Sequence, residues 1–110
     1  MQDEGEQRIA ANEARFREVN EAISRGQWPG EDAAGVGFRC ECGLLGCNQI
    51  VELMLPEYEA VRAHARRFVV FPGHERPEAE TTVETRSGYI VVEKTDAAGE
   101  VAEATDPRDS

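Results

Sequence analysis

The chain has 110 residues, 40% of them hydrophobic and 31% charged, with a formal net charge of −10. That length is one domain, and the acidic balance repels a phosphate backbone at long range, which disfavours nucleic acid as a partner. No apolar run approaches membrane-spanning length, and the acidic opening Met1-Gln-Asp-Glu-Gly-Glu is unlike a secretory signal.

Charge is distributed unevenly. Residues 1–36 carry eight acids and four bases, residues 37–76 carry five of each, and residues 77–110 carry nine acids and three bases. A neutral centre therefore lies between two acidic flanks. The basic cluster of Arg62, Arg66, Arg67 and Arg76 is too small to offset the repulsion of nucleic acid. Three cysteines, an odd number, fit a secreted disulfide framework poorly. The expectation is a reducing, cytoplasmic setting with thiolates as ligands.

Residues 1–6 read as a frayed terminus. Residues 7–25 are rich in helix formers and predict an amphipathic helix, with Ile9, Phe16, Val19 and Ile23 along one face. Glu13 and Arg17 stand at i,i+4 in the favourable order. Asn12 interrupts the apolar stripe. This face suits packing on the domain's own core, and it also suits pairing with a protein partner or a second copy in a homodimer. Residues 26–37 hold four glycines and a proline and read as a connector, with Trp28 as its anchor to the core.

Residues 38–94 contain most of the apolar material. Phe38–Cys42 and Gln49–Met54 predict two short strands around a turn over Gly43–Asn48. Pro56 suits the first position of a second helix. Glu57 and Glu59 then fall in its first turn and Arg62, Arg66 and Arg67 at its end, both favoured by the helix dipole. Tyr58, Val61 and Ala65 form its buried stripe. Phe68–Phe71 predicts a buried strand, and Phe71–His74 carries the Pro-Gly signature of a type II turn. Pro77–Arg86 predicts a short helix starting at a proline, although Thr81, Thr82 and Val83 oppose it. Ser87-Gly88 turns into a strand at Tyr89–Lys94. Residues 95–110 are acidic, small and polar, and predict a disordered tail. The fold expected is α+β: an N-terminal helix, then a small zinc-ribbon or zinc-finger-like mixed domain with a β-hairpin, a helix and two further strands.

The chemistry concentrates at the hairpin. Cys40, Cys42 and Cys47 are all the cysteines of the chain and fall within eight residues. In a strand, Cys40 and Cys42 project to the same face and Glu41 to the other. Gly43 and Gly46 let the chain fold back so that Cys47 joins them. The bland alternative is three small buried hydrophobes. Three converging thiolates call for Zn2+, which is tetrahedral and takes sulfur and imidazole nitrogen. His64 and His74 are the candidate fourth ligands. The turn at Pro72-Gly73 favours His74, whereas a second helix returning to the cysteine turn, as in a ββα zinc finger, favours His64.

Several stretches together resemble a group of short actinobacterial proteins of uncharacterised function. They are Asn12-Glu-Ala-Arg-Phe-Arg-Glu-Val-Asn-Glu, Phe38-Arg-Cys-Glu-Cys-Gly, Cys47, Ile50-Val-Glu-Leu, Glu57-Tyr-Glu-Ala-Val-Arg, Arg67-Phe-Val-Val-Phe-Pro-Gly-His-Glu and Tyr89-Ile-Val-Val-Glu-Lys. The likeness spans roughly residues 9–94, and a Thr or Ser stands in that group where this chain has Met54. It favours His74, which lies in the Pro-Gly-His-Glu run; with the three cysteines read from their spacing, the expected ligand set is Cys40, Cys42, Cys47 and His74.

Three functions compete. The first is a non-enzymatic zinc-binding module that mediates protein–protein interaction through the first helix or the acidic flanks. The second is a thiol- or metal-responsive sensor using the cysteine cluster. The third is a zinc-dependent hydrolase with Glu41 or Glu75 as base. It ranks last, because the chain has no His-Glu-x-x-His, no phosphate loop and no nucleophile elbow.

Overall fold

A computed structural model describes residues 4–26, 35–44, 46–106 and 108. Within them the chain is α+β, with helices α1 (Glu4–Arg25), α2 (Leu55–Arg62) and α3 (Asp96–Ala104) and strands β1 (Gly35–Arg39), β2 (Ile50–Met54), β3 (Arg67–Val70), β4 (Glu80–Thr85) and β5 (Ile90–Lys94). Trp28 and the rest of residues 27–34 lie outside the described residues.

The hairpin forms as expected but earlier than its apolar run. β1 pairs antiparallel with β2 from Gly35↔Met54 to Arg39↔Ile50, so Cys40 and Cys42 lie just beyond the strand and not within it. Alternation places Val36 and Phe38 of β1, and Val51 and Leu53 of β2, on the buried face. Met54 then enters α2 directly. Pro56 sits in the first turn, and Glu57 accepts the Met54 N–H at 2.7 Å, which supplies a cap that the Met54 side chain cannot. α2 turns Tyr58 and Val61 inward, and the Tyr58 ring stacks on Phe38 with centroids 4.2 Å apart.

The second sheet has the order β3-β5-β4, all antiparallel. Here two expectations fail. Pro77–Arg86 does not form a helix. Its β-branched residues Thr81, Thr82, Val83 and Thr85 build β4 as an edge strand on β5, with a bulge between Thr82 and Glu84. The domain thus has three strands after α2, not two. Ser87-Gly88 makes the connecting turn, with the Arg86 N–H donating to the Tyr89 carbonyl at 2.9 Å.

Residues 95–110 are not a disordered tail throughout, because Asp96–Ala104 is α3. Ala97, Ala98, Ala102 and Ala104 make it a strong helix former. Its docking uses small residues: Ala102 is buried, and at Gly99 the Arg66 guanidinium fills the space a Cβ would need.

The largest departure is α1. Its buried face is polar, made of Asn12, Glu13, Arg17, Asn20 and Glu21, with Arg17 and Asn20 fully buried. Each finds a partner far along the chain, as buried polar groups must. Arg17 donates to the carbonyls of Ala65 and Ala102 at 2.7 and 2.6 Å and lies over the Phe68 ring at 4.3 Å. Glu21 takes Arg62 Nε at 2.5 Å and Arg108 Nε at 2.7 Å. The surface pair expected between Glu13 and Arg17 is therefore replaced by two inward-facing side chains. The apolar stripe flanks this face: Ile23 packs on the core, Phe16 lies under the Arg39 guanidinium at 4.1 Å, and Val19 is exposed.

Candidate metal centre

Three short segments converge at the junction of the two sheets. The Cys40 N–H donates to the Gln49 carbonyl at 3.0 Å, continuing the hairpin, and the next N–H, that of Glu41, donates to the Val69 carbonyl on β3 at 2.8 Å. One residue thus belongs to each sheet, which fixes where Cys40 points. Gly43 and Gly46, at φ of 78° and 86°, adopt the left-handed conformation that returns the chain to Cys47. The Cys47 N–H closes this turn on the Leu44 carbonyl at 3.2 Å, and Arg39 holds the Cys47 carbonyl at 3.1 Å.

His74 arrives from the opposite side. Gly73 has φ of 96°, and the His74 N–H donates to the Phe71 carbonyl at 2.9 Å, the bond that closes a type II turn. The Phe71 ring meets the imidazole edge-on at 5.4 Å, and Glu75 accepts the Gly73 N–H at 2.9 Å. The imidazole is thereby presented on a braced turn.

The ligand atoms of Cys40, Cys42, Cys47 and His74 all lie within 4.8 Å of one another. His74 Nδ1 is 3.6 Å from Cys40 Sγ and 3.5 Å from Cys47 Sγ. A tetrahedral zinc with Zn–S of about 2.3 Å and Zn–N of about 2.0 Å sets a sulfur and a nitrogen ligand roughly 3.5 Å apart. Those two edges have the length a tetrahedral metal requires, and the four ligand groups are close enough to hold one ion. Cys40 and Cys42 are buried, whereas Cys47 and His74 are half-buried. His64 stands exposed in the turn after α2 and is not part of the group.

The two buried sulfurs are shifted in opposite directions. The Phe71 N–H donates to Cys40 Sγ at 3.1 Å. The Cys42 thiol is pulled down to about 4 by the hydrogen bond from Cys40, against burial, with help from the Leu44 N–H, His74 and Cys47. Cys40 is pushed up correspondingly, by sharing its proton with Cys42 and by burial. Metal binding requires the cysteine ligands as thiolates and so releases their protons.

Glu41, between the two buried cysteines, is wholly buried. Its Oε2 accepts from Asn20 Nδ2 at 2.7 Å and from the Tyr58 hydroxyl at 3.2 Å, and its Oε1 accepts from the Val69 N–H at 3.0 Å. Burial pushes its carboxyl up, against the opposing effect of these donors. With both oxygens committed to protein donors, it is a brace for the loop and is not placed as a base for bound water.

Sequence reasoning missed the groups that hold this loop from α1. Asn12 Nδ2 donates to the Gly43 carbonyl at 3.0 Å. Asn20 donates to the Arg39 carbonyl at 2.8 Å and accepts the Arg39 N–H at 2.7 Å. Their signal was the interruption of the apolar stripe, since an asparagine among helix formers needs a reason to be there.

No family model matches the chain, and neither a curated protein nor a solved structure does.

Proposed function

We propose that the protein is a small zinc-binding module, non-enzymatic, whose metal is structural and whose surfaces bind another protein. The observation that supports this most strongly is the convergence of Cys40, Cys42, Cys47 and His74 with sulfur–nitrogen edges of 3.5 and 3.6 Å. Four protein ligands close the coordination shell of zinc and leave no position for water or substrate. The metal ties the hairpin to the turn at Pro72-Gly73 and so joins the two sheets. A partner surface complementary to the acidic flanks would be basic.

The test is metal content of the purified chain under reducing conditions, followed by ligand replacement. The expectation is one zinc per chain, lost in Cys42→Ser and in His74→Ala and kept in His64→Ala. Retention of stoichiometric zinc by His74→Ala would overturn the ligand set. Affinity capture with the acidic chain as bait then tests the partner reading, which fails if no protein is held at physiological salt.

A sensor reading has one observation in its favour. Cys47 is the part-exposed sulfur of the group, so oxidant in solution would reach it before the buried pair. Zinc release by mild peroxide and its reversal by reductant would support this reading, and inertness to peroxide would exclude it.

A further inference from the structure

We infer that metal loading of this site controls the seating of the N-terminal half of α1, a device that rests on the metal-centre reading above. The two ends of the loop that α1 sits on are held differently. Its upstream end is tied to β3 independently of any metal, through the Glu41 N–H to the Val69 carbonyl at 2.8 Å and the Val69 N–H to Glu41 Oε1 at 3.0 Å. Asn20, which bonds Arg39 and Glu41, uses that fixed end. The downstream end is held by side chains instead: Arg39 Nη2 on the Cys47 carbonyl at 3.1 Å, and Cys42 packed near Phe68 and Val70. Among the described residues, no backbone hydrogen bond joins residues 42–46 to either sheet, and the turn closes only on itself through Cys47 and Leu44. What positions Gly43 is the neighbouring Cys42 and its convergence with the other three ligands.

Gly43 is also where the first half of α1 rests. Its carbonyl takes Asn12 at 3.0 Å. A Cβ at this glycine would lie 2.5 Å from Glu13 Cγ and 2.6 Å from the Ile9 carbonyl, so helix and loop backbone are in close contact. Polar docking of this kind is sharp. A hydrogen bond weakens steeply when its geometry shifts, and a buried amide left unpaired is unfavourable. A greasy interface would tolerate a displaced loop, but the Asn12 amide on the Gly43 carbonyl does not. Without a cation, four ligand groups within 4.8 Å have nothing at their centre to hold them, and Gly43 shifts. The seat of Ile9 and Asn12 on Gly43 is lost, while Glu13 keeps Lys94 and Asn20 keeps Arg39 and Glu41.

The test is hydrogen exchange on the full chain, read by segment, with zinc bound and after removal by a chelator. Chelation is expected to speed exchange in residues 8–14 by about tenfold or more, with residues 19–25 less affected and β5 changed by under about twofold. Binding and seating are linked, so weakening one weakens the other. Asn12→Ala is therefore expected to lower zinc affinity by roughly fivefold, measured by competition with a chromophoric chelator. Alanine is the better helix former, so this loss cannot come from helix propensity. Ser24→Ala, which removes only an exposed contact to Glu59, is expected to leave affinity unchanged. The inference is overturned if chelation loosens the cysteine loop but leaves residues 8–14 protected. It is equally overturned if β5 loses protection together with α1, or if Asn12→Ala binds zinc as tightly as the parent. Absence of zinc from the loaded chain would overturn the metal-centre reading itself, and metal content reports that separately.

Discussion

Lys94 at the end of β5 places its Nζ 2.5 Å from Glu13 Oε2, across 81 residues of sequence. The same ammonium also pairs with Glu80. All three side chains are nearly excluded from water, so two carboxylates share one buried cation.

That arrangement makes stability depend on pH. Burial raises the Glu13 carboxyl from 4.5 to about 7, outweighing the attraction of Lys94. The folded state therefore holds a proton that the unfolded chain releases near 4.5. Stability from this group is fully present below 4.5 and is lost as pH rises through about 7. Glu13→Gln cannot titrate and lacks this loss. Relative to the parent, its stability is expected to rise by roughly 2–3 kcal/mol between pH 5 and pH 8. Urea unfolding of both proteins at the two pH values, with zinc saturating throughout, measures it. A constant difference between them would show that Glu13 does not take up the proton.

Glu41 provides a second prediction. Its carboxylate accepts from Asn20, Tyr58 and the Val69 N–H. Glu41→Leu leaves those three donors facing a side chain that can accept nothing, and each buried unpaired donor costs about 1–3 kcal/mol. Glu41→Leu is expected to lose more than about 3 kcal/mol in urea unfolding, and Tyr58→Phe, which removes a single longer bond, about 1 kcal/mol. Equal losses in the two variants would contradict a braced carboxylate.

How much of this was legible beforehand depends on the range of each signal. The hairpin, the Pro72-Gly73 turn and β5 were readable because strand and turn chemistry is local. The cysteines were readable because three of the ligands lie within eight residues. The buried face of α1 was not. Apolar periodicity points to Ile9, Phe16, Val19 and Ile23, whereas Asn12, Glu13, Arg17, Asn20 and Glu21 are buried because of partners 19 to 87 residues away. A local window scores those residues as solvent-facing. α3 was hidden for the same reason: its small residues give little apolar signal, and its docking depends on Arg17, Arg62 and Arg66 from elsewhere.

The three left-handed glycines separate backbone strain from packing. Gly73 has φ of 96° and nothing within 4 Å of a Cβ. Gly73→Ala is expected to lose about 1–2 kcal/mol, for the backbone conformation alone. Gly46, at φ of 86° with the same open surroundings, should behave alike. Gly43→Ala carries a similar backbone cost and also drives its Cβ into the Ile9 carbonyl and Glu13. It is expected to lose at least about 2 kcal/mol more than Gly73→Ala, read from thermal or urea midpoints. If the two variants match, α1 does not lie against Gly43.

Truncation after Thr95 tests whether the last helix belongs to the fold. The acidic composition of residues 95–110 reads as a disordered tail, but Gly99 and Ala102 of α3 are buried against the rest of the chain. Arg17 Nη2 donates to the Ala102 carbonyl at 2.6 Å, and Arg62 pairs with Asp106. Neither arginine side chain can reach water in place, because Arg17 is fully buried and the Arg62 side chain is 0% exposed. Arg62 would keep Glu21, and Arg17 the Ala65 carbonyl, but each would lose its partner on the other side. Truncation breaks both of these contacts and exposes the buried apolar surface around Phe68, and the two together amount to roughly 3 kcal/mol or more. A chain ending at residue 95 is therefore expected to be less stable than the parent by at least about 3 kcal/mol. Asp106→Asn, which keeps a hydrogen-bonding side chain but removes the charge, should fall between them. Equal urea midpoints for the truncated and full chains would mean that α3 does not dock, and would remove Arg17 from the buried network as well.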